Sequence, residues 1–318
     1  MCALIALLIL GGYLLLGKVS ADFPIPVVVR AELPGDLEPG QRVSIDASTI
    51  QESGEALSNE FHFDTNSMGF RGLEVNLTPD TYTVMTIGDG YAFGTSVDGN
   101  RTLCDELNRR FSADFSKRSF ACVNAALPCM CLEDEFQYLD EKGEMTRPQL
   151  LVLVLSEDDV WEMARPVVLR DLYKCLRSSR WCAARMLYYR HVKGMFRTRD
   201  SLLDRVGRDG LMQLSHDSLW EHRGLMSNLI ARVKGWGGRV LILADGSETD
   251  AVRGMLAQLG LPILLVADST DCPVPLAPDG HWAAATHQYA SELVVAWIEE
   301  FILMKEPSRV PTPPCSGL

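Results

Sequence analysis

Acidic and histidine side chains recur where predicted strands end, and chemistry is expected there. Asp89 follows one apolar run, Asp158 and Asp159 follow a second, and Asp279 and His281 precede the last predicted helix. A neutral imidazole beside a carboxylate is a competent general base. The same carboxylates, gathered at one sheet edge, are also oxygen ligands that hard cations prefer. We favour the general base, because some of these carboxylates are expected to face away from the cleft, and we predict no metal and no cofactor.

Five short apolar runs alternate with amphipathic segments from residue 82 onward. The apolar runs span 82–88, 120–126, 150–156, 239–244 and 262–267. The amphipathic segments span 102–111, 131–139, 225–233, 252–260 and 290–303. Near-continuous apolar strands separated by such helices are typical of a parallel sheet that is covered on both faces. The pattern predicts a three-layer α/β/α sandwich with a five-stranded parallel sheet, which binds ligands at the carboxyl ends of its strands.

The chain opens with an apolar segment. Residues 2–17 carry no charge and are followed by Lys18. This is slightly short for a full membrane span and longer than most signal-peptide cores. Small residues ending at Ala21 offer a cleavage pattern, but no basic residue precedes the apolar run. We therefore predict a membrane anchor at residues 2–17 and an extracytoplasmic protein at the periplasmic or cell-surface side, secreted instead if it is cleaved near Ala21.

The composition divides the chain into segments. We predict an anchor or signal at 1–21, a Pro-containing extended linker with edge strands at 22–60, the main domain at 61–304 and a disordered Pro-rich tail at 305–318. A basic helical insertion is predicted within the main domain at 163–223.

Charge restricts the partners. The formal net charge is −12, which repels phosphate backbones, so we predict no nucleic-acid partner. From Arg165 to Asp209, however, twelve basic residues face four aspartates, which leaves a local charge of +8. We favour a solvated helical cap for this insertion, ahead of contact with anionic lipid headgroups or an anionic polymer. The nine cysteines lack zinc-site spacing, and we interpret most as buried thiols.

Motifs in four places resemble the SGNH (GDSL-like) esterase and acylhydrolase superfamily. They are NSMGFRG at 66–72 leading to IGDGYAFGTSVDGN at 87–100, VNAALP at 123–128, VLVLSEDDV at 152–160 and DGHW at 279–282. The matches stand in the expected order over roughly residues 61–303. The late Asp-x-His-Trp also resembles polysaccharide O-acetyltransferase relatives of that superfamily. The resemblance implies an α/β sandwich acting on O-acyl groups of carbohydrates or lipids.

The resemblance also implies roles for individual residues. His281 stands at the position of the general base and Asp279 at that of its orienting carboxylate. The serine nucleophile position, however, is Gly90, which has no side chain to acylate. The two further oxyanion-hole positions are Ala126, where the family has glycine, and Asp158, where it has asparagine. An anionic acceptor facing an oxyanion opposes catalysis, and losing one such donor costs about 100- to 1,000-fold in rate.

Three residues around the implied site are candidate ligand contacts. Asp89 precedes the nucleophile position, and Tyr91 and Trp282 flank the site, where either ring could stack on a sugar or pack in the core. Asn124 is expected to be structural, holding the turn after the second strand. His287 is expected to pack or to lie on the surface of the last helix.

Several functions are compatible with these departures. We favour a domain with a degenerate catalytic centre that binds an O-acylated glycan, a lipid ester or a protein partner of unknown kind. The alternative is an active ester hydrolase or O-acetyl-transfer enzyme, in which His281 activates water or an unrecognised nucleophile acts. An engineered Ser-to-Gly change at position 90 would also remove the nucleophile, but it leaves Ala126 and Asp158 unexplained.

Overall fold

The computed structural model describes most of the predicted domain. The described residues are 27–28, 36–37, 39–46, 60–95, 97–115, 119–127, 132–155, 223–244, 254, 256–266, 274–277, 281–305 and 311. The predicted anchor at 2–17, most of the basic insertion and nearly all of the Pro-rich tail lie outside them, as do Asp158, Asp159 and Asp279. Within the described part of the chain, no helix combines the length and apolar character needed to cross a membrane.

Two antiparallel pairs precede the main sheet. Strands β1 (Val27–Val28) and β2 (Asp36–Leu37) form one pair, and β3 (Arg42–Asp46) and β4 (Glu60–Asp64) form the other. Leu37, Val43 and Phe63 are each less than 5% exposed and belong to the main core. The described part of the segment predicted as a linker with edge strands therefore packs against the domain.

The main sheet has five parallel strands in the order β6-β5-β7-β8-β9. They are β5 (Tyr82–Ile87), β6 (Phe120–Asn124), β7 (Leu150–Leu155), β8 (Arg239–Ala244) and β9 (Ile263–Leu265). Every residue of β5 and β7 is buried, as continuous apolar strands in a covered parallel sheet require. The predicted fold class is confirmed in its α/β architecture and five-stranded parallel sheet.

Helices cover the sheet. They are α1 (Gly90–Phe93), α2 (Leu103–Asp114), α3 (Leu132–Thr146), α4 at residues 223–235 and α5 (Ala284–Phe301). Right-handed crossovers place α2 and α3 on opposite faces, because the chain moves to one side from β5 to β6 and to the other from β6 to β7. Helix α2 pairs with α5 through Arg110, which donates to Ser291, and α3 pairs with α4 through Arg232 and Asp140.

The start of α2 and the middle of α3 show how local sequence fixes these elements. Thr102 accepts from the Asp105 N–H, and the Asp105 carboxylate accepts from the Thr102 N–H, which forms a capping box. A side chain at Gly143, within α3, would lie 2.5 Å from the ring of Trp236, so glycine lets the end of α4 pack closely. Cys104 and Cys122 are buried free thiols, as interpreted from the sequence.

The strand order locates the expected ligand-binding edge. Connections leave β5 toward one side of the sheet and β7 toward the other, so the topological switch point lies between the carboxyl ends of these two strands. Gly88, Asp89 and Gly90 follow β5 directly at this point.

Candidate functional site

The turn after β5 is fixed by two residues that precede position 90. Gly88 has φ +154°, and a side chain there would lie 2.8 Å from Ala92 Cβ and 3.0 Å from the Val154 carbonyl oxygen. The buried Asp89 carboxylate accepts a hydrogen bond of 2.9 Å from the Tyr91 N–H and caps α1. Asp89, predicted as a ligand contact, therefore holds the turn that starts α1, with Gly90 as its first residue.

A short hairpin carries His281 to this turn. The Ala277 N–H donates to the His281 carbonyl at 2.7 Å, and the Ala283 N–H donates to the Pro275 carbonyl at 3.1 Å. The imidazole of His281 then packs on the ring of Tyr91, with 4.9 Å between ring centroids. Two segments that are almost two hundred residues apart in the chain therefore meet, as the resemblance implied for positions 90 and 281.

His281 occupies the space of a side chain at position 90. A Cβ added to Gly90 would lie 2.3 Å from His281 Nε2 and 2.8 Å from the Thr95 hydroxyl oxygen. Both distances are shorter than any van der Waals contact of carbon. With His281 in this position, residue 90 can be nothing larger than glycine. The serine that the resemblance implies at position 90 is thus absent, and the imidazole of His281 lies where its side chain would be.

The backbone N–H of Ala126, the second oxyanion-hole position that the resemblance implies, is already hydrogen-bonded. The Ala126 N–H donates to the side-chain oxygen of Asn124 at 3.1 Å, and Ala126 is only 1% exposed. The Asn124 amide in turn donates to the carbonyls of Ala92 and Phe93, at 3.3 and 3.4 Å. The prediction that Asn124 holds this turn is confirmed. Since its hydrogen is engaged inside the protein, the Ala126 amide does not face a ligand.

The two aromatic candidates have different surroundings. Trp282 is 1% exposed, and its ring packs edge-on against Tyr91 and against His287, with centroid separations of 5.8 and 5.7 Å. It therefore packs in the core, the second of the two roles expected for it, and cannot stack on a sugar in this arrangement. Tyr91 is half-buried, and its ring contacts His281 and Trp282.

Two of the predicted site residues are not among those that the structure describes. Asp158 and Asp279 lie outside the described residues, so the third oxyanion position and the carboxylate partner of His281 stay predictions. Among the residues that the structure describes, no three His, Cys, Asp or Glu side chains are grouped as metal ligands.

Arg71 is a positioning residue that sequence analysis did not single out. It is 2% exposed, and its guanidinium donates to the carbonyls of Gly94 and Val97 at 2.7 and 2.5 Å. The rings of Phe63 and Phe93 lie 4.8 Å from its guanidinium carbon. Burial lowers its pKa to about 10, opposed by the negative charges of Asp105 and Asp98, so it stays charged at neutral pH. It fixes the turn that ends α1.

His287 is a second buried group that the sequence did not reveal. Its Nδ1 accepts from the Leu103 N–H at 3.0 Å, so the proton of the neutral ring resides on Nε2. Burial, with the positive charges of Arg71 and His281, lowers its pKa to about 3. A polar residue inside an amphipathic helix pattern gives no sequence signal of this kind, because its burial depends on what α2 places against it.

Comparisons with known proteins reveal relatives by fold only. No protein-family model and no curated protein matches the chain. Among solved structures, TesA shares 14% identity over 70% of this chain and 99% of its own, with a TM-score of 0.39. The esterase EstA from Pseudoalteromonas sp. shares 8% identity over the same fractions, with a TM-score of 0.44.

An acetyl xylan esterase from Geobacillus stearothermophilus shares 14% identity over 72% of this chain and 97% of its own, with a TM-score of 0.37. These identities and scores are too low to say anything about the activity of this chain. Two of the three are esterases by name, and the resemblance to SGNH esterases and acylhydrolases rests on the motifs of the sequence.

Proposed function

We propose that this chain is an SGNH-type, esterase-like domain that binds an O-acylated carbohydrate or lipid ester and does not use a serine acyl-enzyme cycle. One observation carries this proposal: the imidazole of His281 fills the space in which a nucleophilic side chain at position 90 would lie. The covalent route through residue 90 is closed by the absence of a hydroxyl and by the position of the base.

The environment of the oxyanion supports the same conclusion. Catalysis of acyl transfer needs donors that point at the developing negative charge and are free to bind it. The Ala126 N–H is instead bound to Asn124 at 3.1 Å. Asp158, the implied third position, carries an acceptor rather than a donor. Turnover of unactivated esters is therefore not expected.

The rigid surroundings of the site favour a cleft that still binds a ligand over a cleft that has lost all function. Two buried side chains, Arg71 and Asn124, hold the carbonyls at the end of α1 and in the turn that follows. A binding site needs its contact residues on rigid elements. The half-buried rings of Tyr91 and His281 are therefore presented in a fixed arrangement at the switch point of the sheet. The location that we propose, an extracytoplasmic membrane surface, depends only on the apolar run 2–17.

A calorimetric titration tests the ligand class. Acetylated xylo-oligosaccharides are compared with the same oligosaccharides after chemical deacetylation. We expect the acetylated form to bind at least about 10-fold more tightly, and Tyr91→Ala to weaken it by about 10-fold through lost ring contact. Met145→Ala is the matched control, since this 56%-exposed side chain lies near the amino-terminal edge of the sheet, away from the site.

Equal affinity for the two forms would show that the acyl group is not recognised, which would contradict the proposal. Binding of neither form would also contradict it and would favour a protein partner. Steady release of acetate from the oligosaccharide, lost in His281→Ala, would favour the alternative of an active hydrolase.

A further inference from the structure

The space at position 90 contains few atoms able to attack an acyl group. Within 3 Å of a Cβ built on Gly90, the described heteroatoms are His281 Nε2 and the Thr95 hydroxyl oxygen. Thr95 is 5% exposed, and its hydroxyl donates to the Gly90 carbonyl at 3.3 Å. His281 is half-buried. Among the described residues, the less buried of the two side chains at the place of the missing serine is therefore the imidazole.

We propose that His281 Nε2 is itself the acyl acceptor of this site, toward activated acyl donors such as aryl esters and acyl thioesters. The inference rests on the proposed function only in assuming that the cleft admits an acyl group. Histidine is one of the side chains that form covalent acyl intermediates. His281 would thus act as a nucleophile in its own right, rather than as the base that activates a serine.

The proposed reaction balances as two displacements. The Nε2 lone pair forms a bond to the carbonyl carbon, the bond from that carbon to the aryl oxygen or thioester sulfur breaks, and the leaving group departs with the electron pair. The buried Nδ1 keeps its proton, so the intermediate is an acyl-imidazolium. Water or another hydroxyl then adds to the carbonyl carbon and gives its proton to solvent, and the imidazole leaves in its neutral form. No oxidant or metal is needed.

Leaving-group chemistry separates this reaction from binding. Imidazole is expelled more readily than a sugar alkoxide, so an attack on a sugar ester returns to the starting ester. Aryl oxides and thiolates leave more readily than imidazole, so activated donors pass their acyl group to the histidine. The same site can therefore bind an O-acyl sugar without cleaving it and still accept an acyl group from an activated donor.

The test is to trap the acyl-imidazole on the full chain. The protein is mixed with p-nitrophenyl acetate at neutral pH, and its intact mass is measured directly after rapid mixing, because an acyl-imidazole hydrolyses in acid and during a digest. We expect one acetyl group that is absent in His281→Ala, its loss as hydroxamate when neutral hydroxylamine is added, and nitrophenolate release that falls about 100-fold in His281→Ala. His62→Ala, which removes a half-buried histidine on β4, is the matched control and should leave both readouts unchanged.

Two results would overturn the inference. Turnover that depends on His281 without any trapped adduct would show a general base acting on water. Turnover and acetylation that are the same in His281→Ala would show that another group reacts. His281→Gln, with its fold checked by circular dichroism, serves as a second variant if His281→Ala does not fold. Binding of acetylated oligosaccharides tests the proposed function separately, because it does not require the adduct.

Discussion

At the scale of single residues, the structure agrees with some of the positions that the sequence predicted for the site and differs at others. Gly90 and His281 were placed together by resemblance, and the pairing of residues 274–277 with 281–283 does bring His281 to Gly90. A Cβ built on Gly90 would lie 2.3 Å from His281 Nε2. This overlap could not be predicted from the sequence, because it depends on the backbone path of the segment that carries His281. Trp282 shows the same limit, since a large aromatic beside a site can pack or stack with equal ease.

The buried His287 gives the fold a specific pH dependence. Its folded pKa of about 3 lies below the ordinary value of 6.5, so the folded state favours the neutral ring. The stabilisation is complete above pH 6.5 and is lost as the pH falls from 6.5 toward 3. In this range His287 binds a proton in the unfolded chain but not in the folded chain. Between pH 7 and pH 4.5 we expect this group to cost roughly 2 kcal/mol of unfolding free energy.

Urea unfolding of the wild type and His287→Gln at both pH values measures this contribution. The glutamine keeps an acceptor for the Leu103 N–H but has no charge to gain, so its stability should fall less on acidification. His62→Gln is the control and should follow the wild type. An equal loss of stability in the wild type and His287→Gln would show that His287 does not carry the effect.

At the scale of elements, the sequence predicted most of the sheet and the helices. The ends of β5, β7 and β8 agree with the apolar runs to within one residue, because a buried parallel strand is apolar at every position. Helix α5 begins at Ala284, six residues before its predicted start. Its first two turns contain buried Thr286 and His287 rather than apolar residues, so no hydrophobic periodicity marks them.

The turn after β5 should tolerate little change at Gly88, because its neighbours are a methyl group and a backbone carbonyl that cannot rotate away. Gly88→Ala places a methyl 2.8 Å from Ala92 Cβ and 3.0 Å from a fixed carbonyl, at a positive φ that disfavours alanine. We expect a loss of about 2–4 kcal/mol of unfolding free energy. Gly224→Ala in α4 is the control, since nothing lies within 4 Å of its added methyl.

Chemical denaturation of both variants measures the difference. If Gly88→Ala is as stable as Gly224→Ala, then the turn before α1 is not held as tightly as its contacts indicate, and the fixed presentation of Tyr91 and His281 loses its basis.

At the scale of the molecule, an α/β fold with a five-stranded parallel sheet carries a site whose residue 90 has no side chain. The fold was predictable because alternating strands and helices determine it. The loss of catalytic groups at the site was only partly predictable. The residue types at 90, 126 and 158 indicated it, but the hydrogen bond from the Ala126 N–H to Asn124 is a property of the folded chain. The two carboxylates at 158 and 279 complete the predicted site and lie outside the described residues.

The most direct test of the central claim is the intact mass of the protein after incubation with an aryl fluorophosphonate, a reagent that labels activated hydroxyl nucleophiles. We measure the wild type and an active serine esterase as the positive control. No adduct is expected on a hydroxyl side chain of the wild type under conditions that label the esterase completely. An adduct on a hydroxyl of the wild type would contradict the account.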